Sequence, residues 1–238
     1  MDWKDHHAKW FKGGTLNASY NCLDRHLDTP VRNKVAFFWE GEPGDRRVYT
    51  YQQLYREVNK FANILKLRGV RKGDAVALYM PMIPELPIAM LACSRIGAPF
   101  TQVYSGFSRE ALGERVRHLE AKVLVTSDGL WRRGKIVDLK GIADSAVESC
   151  PSIQNVIVVK RTGHDVDMEP GRDLWYHEEL DSGHAEPEQM KSEDILYVLY
   201  TSGTTAKPKG VQVSTGGYLT YVTSTLKWSF DVDEMDVW

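Results

Sequence analysis

The sequence predicts an α/β fold: a mostly parallel sheet flanked by helices. Three observations carry that expectation. From Val35 onward, short apolar and β-rich runs alternate with stretches patterned for helices. The runs are too far apart for hairpins and far enough apart for crossover connections. No internal repeat or low-complexity segment interrupts the alternation.

In chain order, Thr50 and Gln53 form a capping box, after which Leu54, Val58, Phe61 and Leu65 recur at helical spacing until Gly69 stops the helix. "AVALYM" (75–80) reads as a buried strand, being short, nearly all apolar and bounded by "KGD" and Pro81. A second helix is expected to run to Gly97. "PFTQVY", "KVLVTS", "NVIVVK" and "ILYVLY" continue the series of strands. Between Arg161 and Asp194 the composition shifts to Gly, Pro, His and acids, as expected of a surface excursion or subdomain junction. These boundaries predict an amino-terminal extension over 1–34 packing on the main domain, a first α/β subdomain over 35–193, and a hairpin opening the next, incomplete subdomain over 194–238. The closing "FDVDEMDVW" has neither a helix stop nor a polar tail, so the chain reads as truncated.

With 238 residues, 42% of them hydrophobic, the chain can bury a substantial core. A formal net charge of -2 supplies no global attraction to nucleic acid or anionic membrane, so any anion site must come from local charge. Cys22, Cys93 and Cys150 are odd in number and widely spaced, which disfavours a disulfide framework or structural zinc and fits a reducing cytoplasm. The amino terminus lacks an apolar leader, and no apolar run reaches membrane-helix length. A cytoplasmic protein is expected, without nucleic-acid or membrane partners and without a resident metal.

"YTSGTTAKPKG" (200–210) concentrates hydroxyls, glycines and two lysines in one short loop, an inventory suited to a polyphosphate. It is not a Walker A loop, because Pro208 and the β-prone "GVQVS" stand where a helix must begin. No G-x-G-x-x-G follows any expected strand, which excludes the dinucleotide fingerprint. A strand, a donor-rich loop and a returning strand remain.

The loop resembles the phosphate-binding signature Y-T-S-G-[ST]-T-G-x-P-K-G of the AMP-forming acyl-CoA synthetase and adenylating-enzyme superfamily. Alone it leaves luciferase-like, peptide-synthetase and fatty-acid branches open. The longer stretches "GGTLNASYNCLDRHL", "WEGEPGD", "YMPMIPE", "AMLACSRIGAP" and "STGGYL" are similar to acetyl-CoA synthetases, in order from about Trp10 to Trp238. The resemblance implies the first part of the large domain of an adenylate-forming enzyme, with acetate, MgATP and coenzyme A as substrates and an acetyl-adenylate as intermediate. It implies ATP phosphate contacts at Thr201, Ser202, Gly203, Thr204, Thr205, Lys207 and Lys209. "SDGLWRRGK" (127–135) resembles the segment that grips the phosphorylated nucleotide end of coenzyme A, implying contacts at Arg132, Arg133, Gly134 and Lys135, with Gly106 letting the coenzyme pass close to the backbone.

No catalytic residue is expected within the chain, because the family's catalytic lysine belongs to a carboxy-terminal domain without counterpart before Trp238. Three positions depart from the pattern: Ala206 replaces a glycine, Val213 a histidine and Ser105 a glycine. Propionate or another short acyl acid, and a non-catalytic nucleotide- or coenzyme-binding protein, stand as alternative readings.

Overall fold

The computed structural model describes residues 2–4, 7–9, 11–179, 183–201, 208–233 and 236. Its main sheet is seven-stranded. The strands are β1 (Val76–Met80), β2 (Phe100–Tyr104), β3 (Val123–Ser127), β4 (Asn155–Val159), β5 (Asp173–Trp175), β6 (Ile195–Thr201) and β7 (Lys209–Ser214). In space they run β5-β4-β3-β1-β2-β6-β7. Every neighbouring pair is parallel except the β6–β7 hairpin. The mostly parallel sheet is therefore present, and β6 joins it where Tyr197 stands beside Phe100.

The helices are α1 (Tyr51–Leu67), α2 (Glu85–Ile96), α3 (Arg109–Leu119), α4 (Leu139–Val147) and α5 (Thr215–Trp228). Alternation along β1 assigns the first four to two faces. Val76, Leu78 and Met80 pack with Val58, Phe61, Leu86 and Ile88 of α1 and α2, while Ala77 and Tyr79 pack with Leu112, Val116, Leu139 and Ala143 of α3 and α4. Each large apolar side chain fully withdrawn from water contributes about 1.5–3 kcal/mol, far more than helix propensity does. Two-sided burial thus places the helices.

Local signals place their ends. At α1 the Thr50 hydroxyl accepts from Gln53 N at 3.2 Å and the Gln53 side chain accepts from Thr50 N at 2.9 Å, completing the expected capping box. Helix α2 stops at Gly97, whose φ of 70° is left-handed.

The stretch expected as a surface excursion or subdomain junction is exposed or half-buried over most of its described length, and part of it packs as a strap. From β5 the chain passes through a 3-10 turn (Tyr176–Glu178) and runs across α1: Tyr176 stacks on Phe61 with ring centroids 5.1 Å apart, Ala185 N donates to Asn59 Oδ1 at 2.8 Å, and Asn63 Nδ2 donates to Gly183 O at 2.8 Å. Glu179 pairs with Arg68, and Tyr176, Ala185 and Met190 are buried. These apolar residues are single and aperiodic, and apart from the short Met190–Lys191 pairing with Thr15–Leu16 helix side chains meet much of the backbone, so neither periodicity announces the strap.

Arg95 binds the amino-terminal segment to this strap. Its guanidinium is fully buried, forks onto both Asp24 oxygens at 2.7 and 2.8 Å, and donates from Nε to Ala185 O. Asn17 Nδ2 adds bonds to Ser94 O, Arg95 O and Glu188 O, each 3.0 Å.

A second buried charge organises the far side of the sheet. Asp128, fully buried after β3, accepts from the backbone N–H groups of Gly129 (2.7 Å), Arg161 (2.8 Å), Thr162 (3.0 Å) and Gly163 (2.6 Å). A carboxylate ringed by amides is a folded anion nest, and it joins the segment after β3 to the loop after β4.

Asp128→Ala strands several buried amides and is expected to lower unfolding free energy by at least about 3 kcal/mol, measured by urea denaturation. Gly97→Ala forces a left-handed alanine whose β-carbon would lie 2.7 Å from Met190 Sδ. It should destabilise by about 1–2 kcal/mol or more, read from the same midpoint shift.

Candidate functional site

Because β1, β2, β3 and β6 are parallel, their carboxyl ends share one edge of the sheet. The chain leaves β1 toward β2 on one side, then crosses to β3 on the other. Connections that diverge in this way open a crevice beyond the strand ends, the usual ligand position in α/β sheets. Here it is a cleft of about 340 Å³ whose walls include Trp39, Glu42, Met82, Tyr104, Trp131, Arg132 and Arg161.

One wall is the hairpin Gly129–Arg132/Lys135–Asp138, with Arg132 opposite Lys135. Its two-residue turn has left-handed φ at both Arg133 (53°) and Gly134 (71°), the pattern of a type I′ turn. Arg132, Arg133, Gly134 and Lys135 are all exposed, so three cationic side chains crowd the hairpin tip. The Gly134 N–H donates to Glu42 Oε1 at 2.9 Å. Glu42 belongs to the turn of a second hairpin, Val35–Glu40/Arg46–Thr50, which forms the opposite wall.

That opposite wall is fixed rather than loose. Trp39 Nε1 donates to Met82 O at 2.7 Å, and the Arg161 guanidinium lies 5.0 Å over the Trp39 ring. Arg161 also forks onto Asp45 at 2.7 and 3.0 Å, holding the Asp45 carboxyl below its ordinary pKa through that hydrogen bond. The Asp128 nest grips the backbone of the same Arg161.

Gly106 follows β2, and the buried Tyr79 controls its surroundings. The Tyr79 hydroxyl donates toward Ser105 O at 3.1 Å and Phe107 O at 2.9 Å, bracketing the glycine. Burial pushes the Tyr79 hydroxyl up to about 12, so it stays a donor at neutral pH. The exposed side of Gly106 is occupied by the chain itself: a β-carbon there would lie 2.5 Å from Cε1 of Tyr104.

The two described polyphosphate candidates, Thr201 and Lys209, lie at the same edge. Thr201 ends β6 and Lys209 begins β7, directly opposite each other and both exposed. Ser202, Gly203, Thr204, Thr205, Ala206 and Lys207 lie outside the described residues. The base of the loop is held by α3: Tyr200 Oη lies 2.7 Å from His118 Nδ1, and buried Arg115 sits 5.7 Å from the Tyr200 ring and 4.6 Å from the Phe107 ring. Burial raises the Tyr200 hydroxyl pKa, with Arg115 opposing. In the strand order, β3 and β6 are separated by β1 and β2, about 14 Å from one candidate group to the other along the edge.

Sequence reasoning missed Tyr79, Arg115, Asp128, Arg161 and Glu42. Only Asp128 carried a local signal, an Asp-Gly pair closing a strand. The larger hollow, about 1030 Å³ between the Phe11–His26 segment and α5, lies away from this edge and gathers none of the candidate residues.

Among the described residues, no helix is long and apolar enough to cross a membrane. Residues 23–238 match the AMP-binding enzyme family, and residues 1–22 match the acetyl-coenzyme A synthetase N-terminus. The acetyl-coenzyme A synthetase of Rubrobacter xylanophilus is 56% identical over 241 residues, covering 100% of this chain and 37% of that protein. That of Gemmatimonas aurantiaca is 54% identical over 246 residues, covering 100% of this chain and 38% of the relative. The chain thus spans little more than a third of the length of these relatives. Among solved structures, an acetoacetyl-CoA synthetase from Streptomyces lividans superposes with a TM-score of 0.86 at 30% identity, covering 94% of this chain and 34% of that one. A matched family over nearly the whole chain, on a sheet with the same architecture, means that the chain belongs to the AMP-binding enzyme family.

Proposed function

We propose that this chain carries the polyphosphate loop and the coenzyme-facing hairpin of an AMP-forming acetate–CoA ligase. The single observation that supports the reading best is convergence: Thr201 and Lys209 on one side, and Arg132, Arg133, Gly134 and Lys135 on the other, lie along one carboxyl edge although some 70 residues separate them in sequence. Acetate is favoured as the acid because identity reaches 54–56% with relatives named for acetyl-coenzyme A, against 30% for the structure named for acetoacetyl-CoA.

In this reading the acetate carboxylate attacks the α-phosphorus of MgATP, forming acetyl-adenylate and releasing pyrophosphate; the coenzyme thiol then displaces AMP. The first step brings two anions together, so the chain's contribution is charge neutralisation and positioning. Lys207 and Lys209 supply charge, Thr201, Ser202, Thr204 and Thr205 supply hydroxyl donors, and Gly203 admits close approach of phosphate oxygens. On the coenzyme side, the Arg132 guanidinium forks onto phosphate oxygens while Arg133 and Lys135 add charge around the Gly134 amide. Gly106 lies on the path between the two groups, where the pantetheine arm must cross. Residues 1–238 without the remaining length seen in relatives are expected to lack synthetase activity.

Placed in a complete ligase by exchange for the corresponding third of a relative, Lys209→Ala is expected to slow acetate-dependent pyrophosphate exchange by about 10²–10³-fold. Thioester formation from supplied acetyl-adenylate should change little; equal slowing of both half-reactions contradicts the assignment. In the same protein, Arg132→Ala combined with Lys135→Ala should raise KM for coenzyme A at least about tenfold and leave pyrophosphate exchange intact, as followed by the two half-reaction assays.

A further inference from the structure

The coenzyme-facing hairpin already holds an anion of its own. The Glu42 carboxylate reaches the Gly134 N–H at 2.9 Å, at the centre of a turn flanked by Arg132, Arg133 and Lys135. The amide of a type I′ turn points outward, so it is available to any acceptor that approaches, and a carboxylate oxygen and a phosphate oxygen compete for it on the same terms. Glu42 is delivered by a rigid support. Its turn is closed by Gly41 N to Asp45 O at 2.8 Å and is tied down through Asp45 to Arg161. The Glu42 side chain itself is exposed to solvent. A short-range reach from a fixed base onto a basic tip is the arrangement of an internal competitor.

A second contact is taken in the same way. The Tyr104 ring covers the bare side of Gly106 and meets Phe107 edge-on with centroids 5.8 Å apart. Two places expected to receive coenzyme are therefore filled by side chains that are themselves exposed.

We propose that Glu42 is an intramolecular stand-in for the coenzyme's 3′-phosphate: it occupies the Gly134 amide, must be displaced for the phosphate to dock, and thereby weakens the grip on coenzyme A. The inference rests on the coenzyme reading of this hairpin. It makes Glu42 a determinant of coenzyme affinity that acts only on ligands bearing the 3′-phosphate. An occupied amide reduces apparent affinity by the fraction of molecules in which it is free, and removing the occupant restores it.

The test is calorimetric titration of residues 1–238 and of Glu42→Ala with coenzyme A and with dephospho-coenzyme A. Glu42→Ala is expected to bind coenzyme A about fivefold more tightly, the scale of an exposed charge-assisted hydrogen bond, and to bind dephospho-coenzyme A as the unaltered chain does. Glu42→Gln, which keeps an acceptor without the charge, should fall between the two. If the unaltered chain binds coenzyme A and Glu42→Ala binds it equally or more weakly, the stand-in is refuted while the coenzyme reading survives. Equal tightening for both ligands also refutes it, since the gain would not pass through the phosphate. If neither protein binds coenzyme A at millimolar concentration, the coenzyme reading falls and the inference falls with it.

Discussion

Strand β1 must be covered on both faces. Its residues from Val76 to Met80 are buried without exception, and a strand apolar on both sides is stable only between two layers of helix. A right-handed crossover places each helix on a face determined by the direction in which the chain moves across the sheet. To put α1 and α2 on one face and α3 and α4 on the other, the chain must reverse its direction of travel. It does so between β2 and β3, and the crevice at the carboxyl edge is the geometric residue of that reversal. The candidate coenzyme cleft is thus a by-product of burying a central strand.

The two hairpins that line the crevice are braced by a few polar groups as well as by their own ladders. Asp128 fixes the segment leading into the basic hairpin and the backbone of Arg161, and Arg161 in turn supports Trp39 and Asp45 on the facing wall. Arg115 plays the corresponding part between the two candidate groups, its guanidinium placed against Phe107 beside the coenzyme turn and Tyr200 at the base of the polyphosphate loop. Each of these charges is satisfied where it lies, so truncating one leaves donors or acceptors stranded in low dielectric.

The strands and long helices were legible because periodicity and punctuation agree there. Thr50 with Gln53, Gly69 and Gly97 sit where the helix ends require them, and "AVALYM" contains no residue that tolerates only one apolar face. The phosphate loop was legible as a resemblance, through its order of hydroxyls, glycines and lysines. The strap over α1 was not: Tyr176 and Ala185 are spaced to meet Phe61 and Asn59 of α1, and Met190 to pair with Leu16, a spacing set by partners far away in sequence. The same applies to Arg115, which reads as an ordinary polar position on an amphipathic helix until the neighbouring aromatic rings are in place. The Asp128 nest draws its donors from a loop more than 30 residues later, beyond the reach of any local rule.

The Tyr79 hydroxyl spans the Ser105 and Phe107 carbonyls on either side of Gly106. A glycine in a ligand-facing bend is commonly equated with suppleness. Here the bend is pegged from beneath by a phenol rooted in the innermost strand, so its outline is dictated by the sheet. Gly106 therefore contributes room without slack: the missing methyl group lets the Tyr104 ring lie against the backbone, and the floor beneath is nailed down.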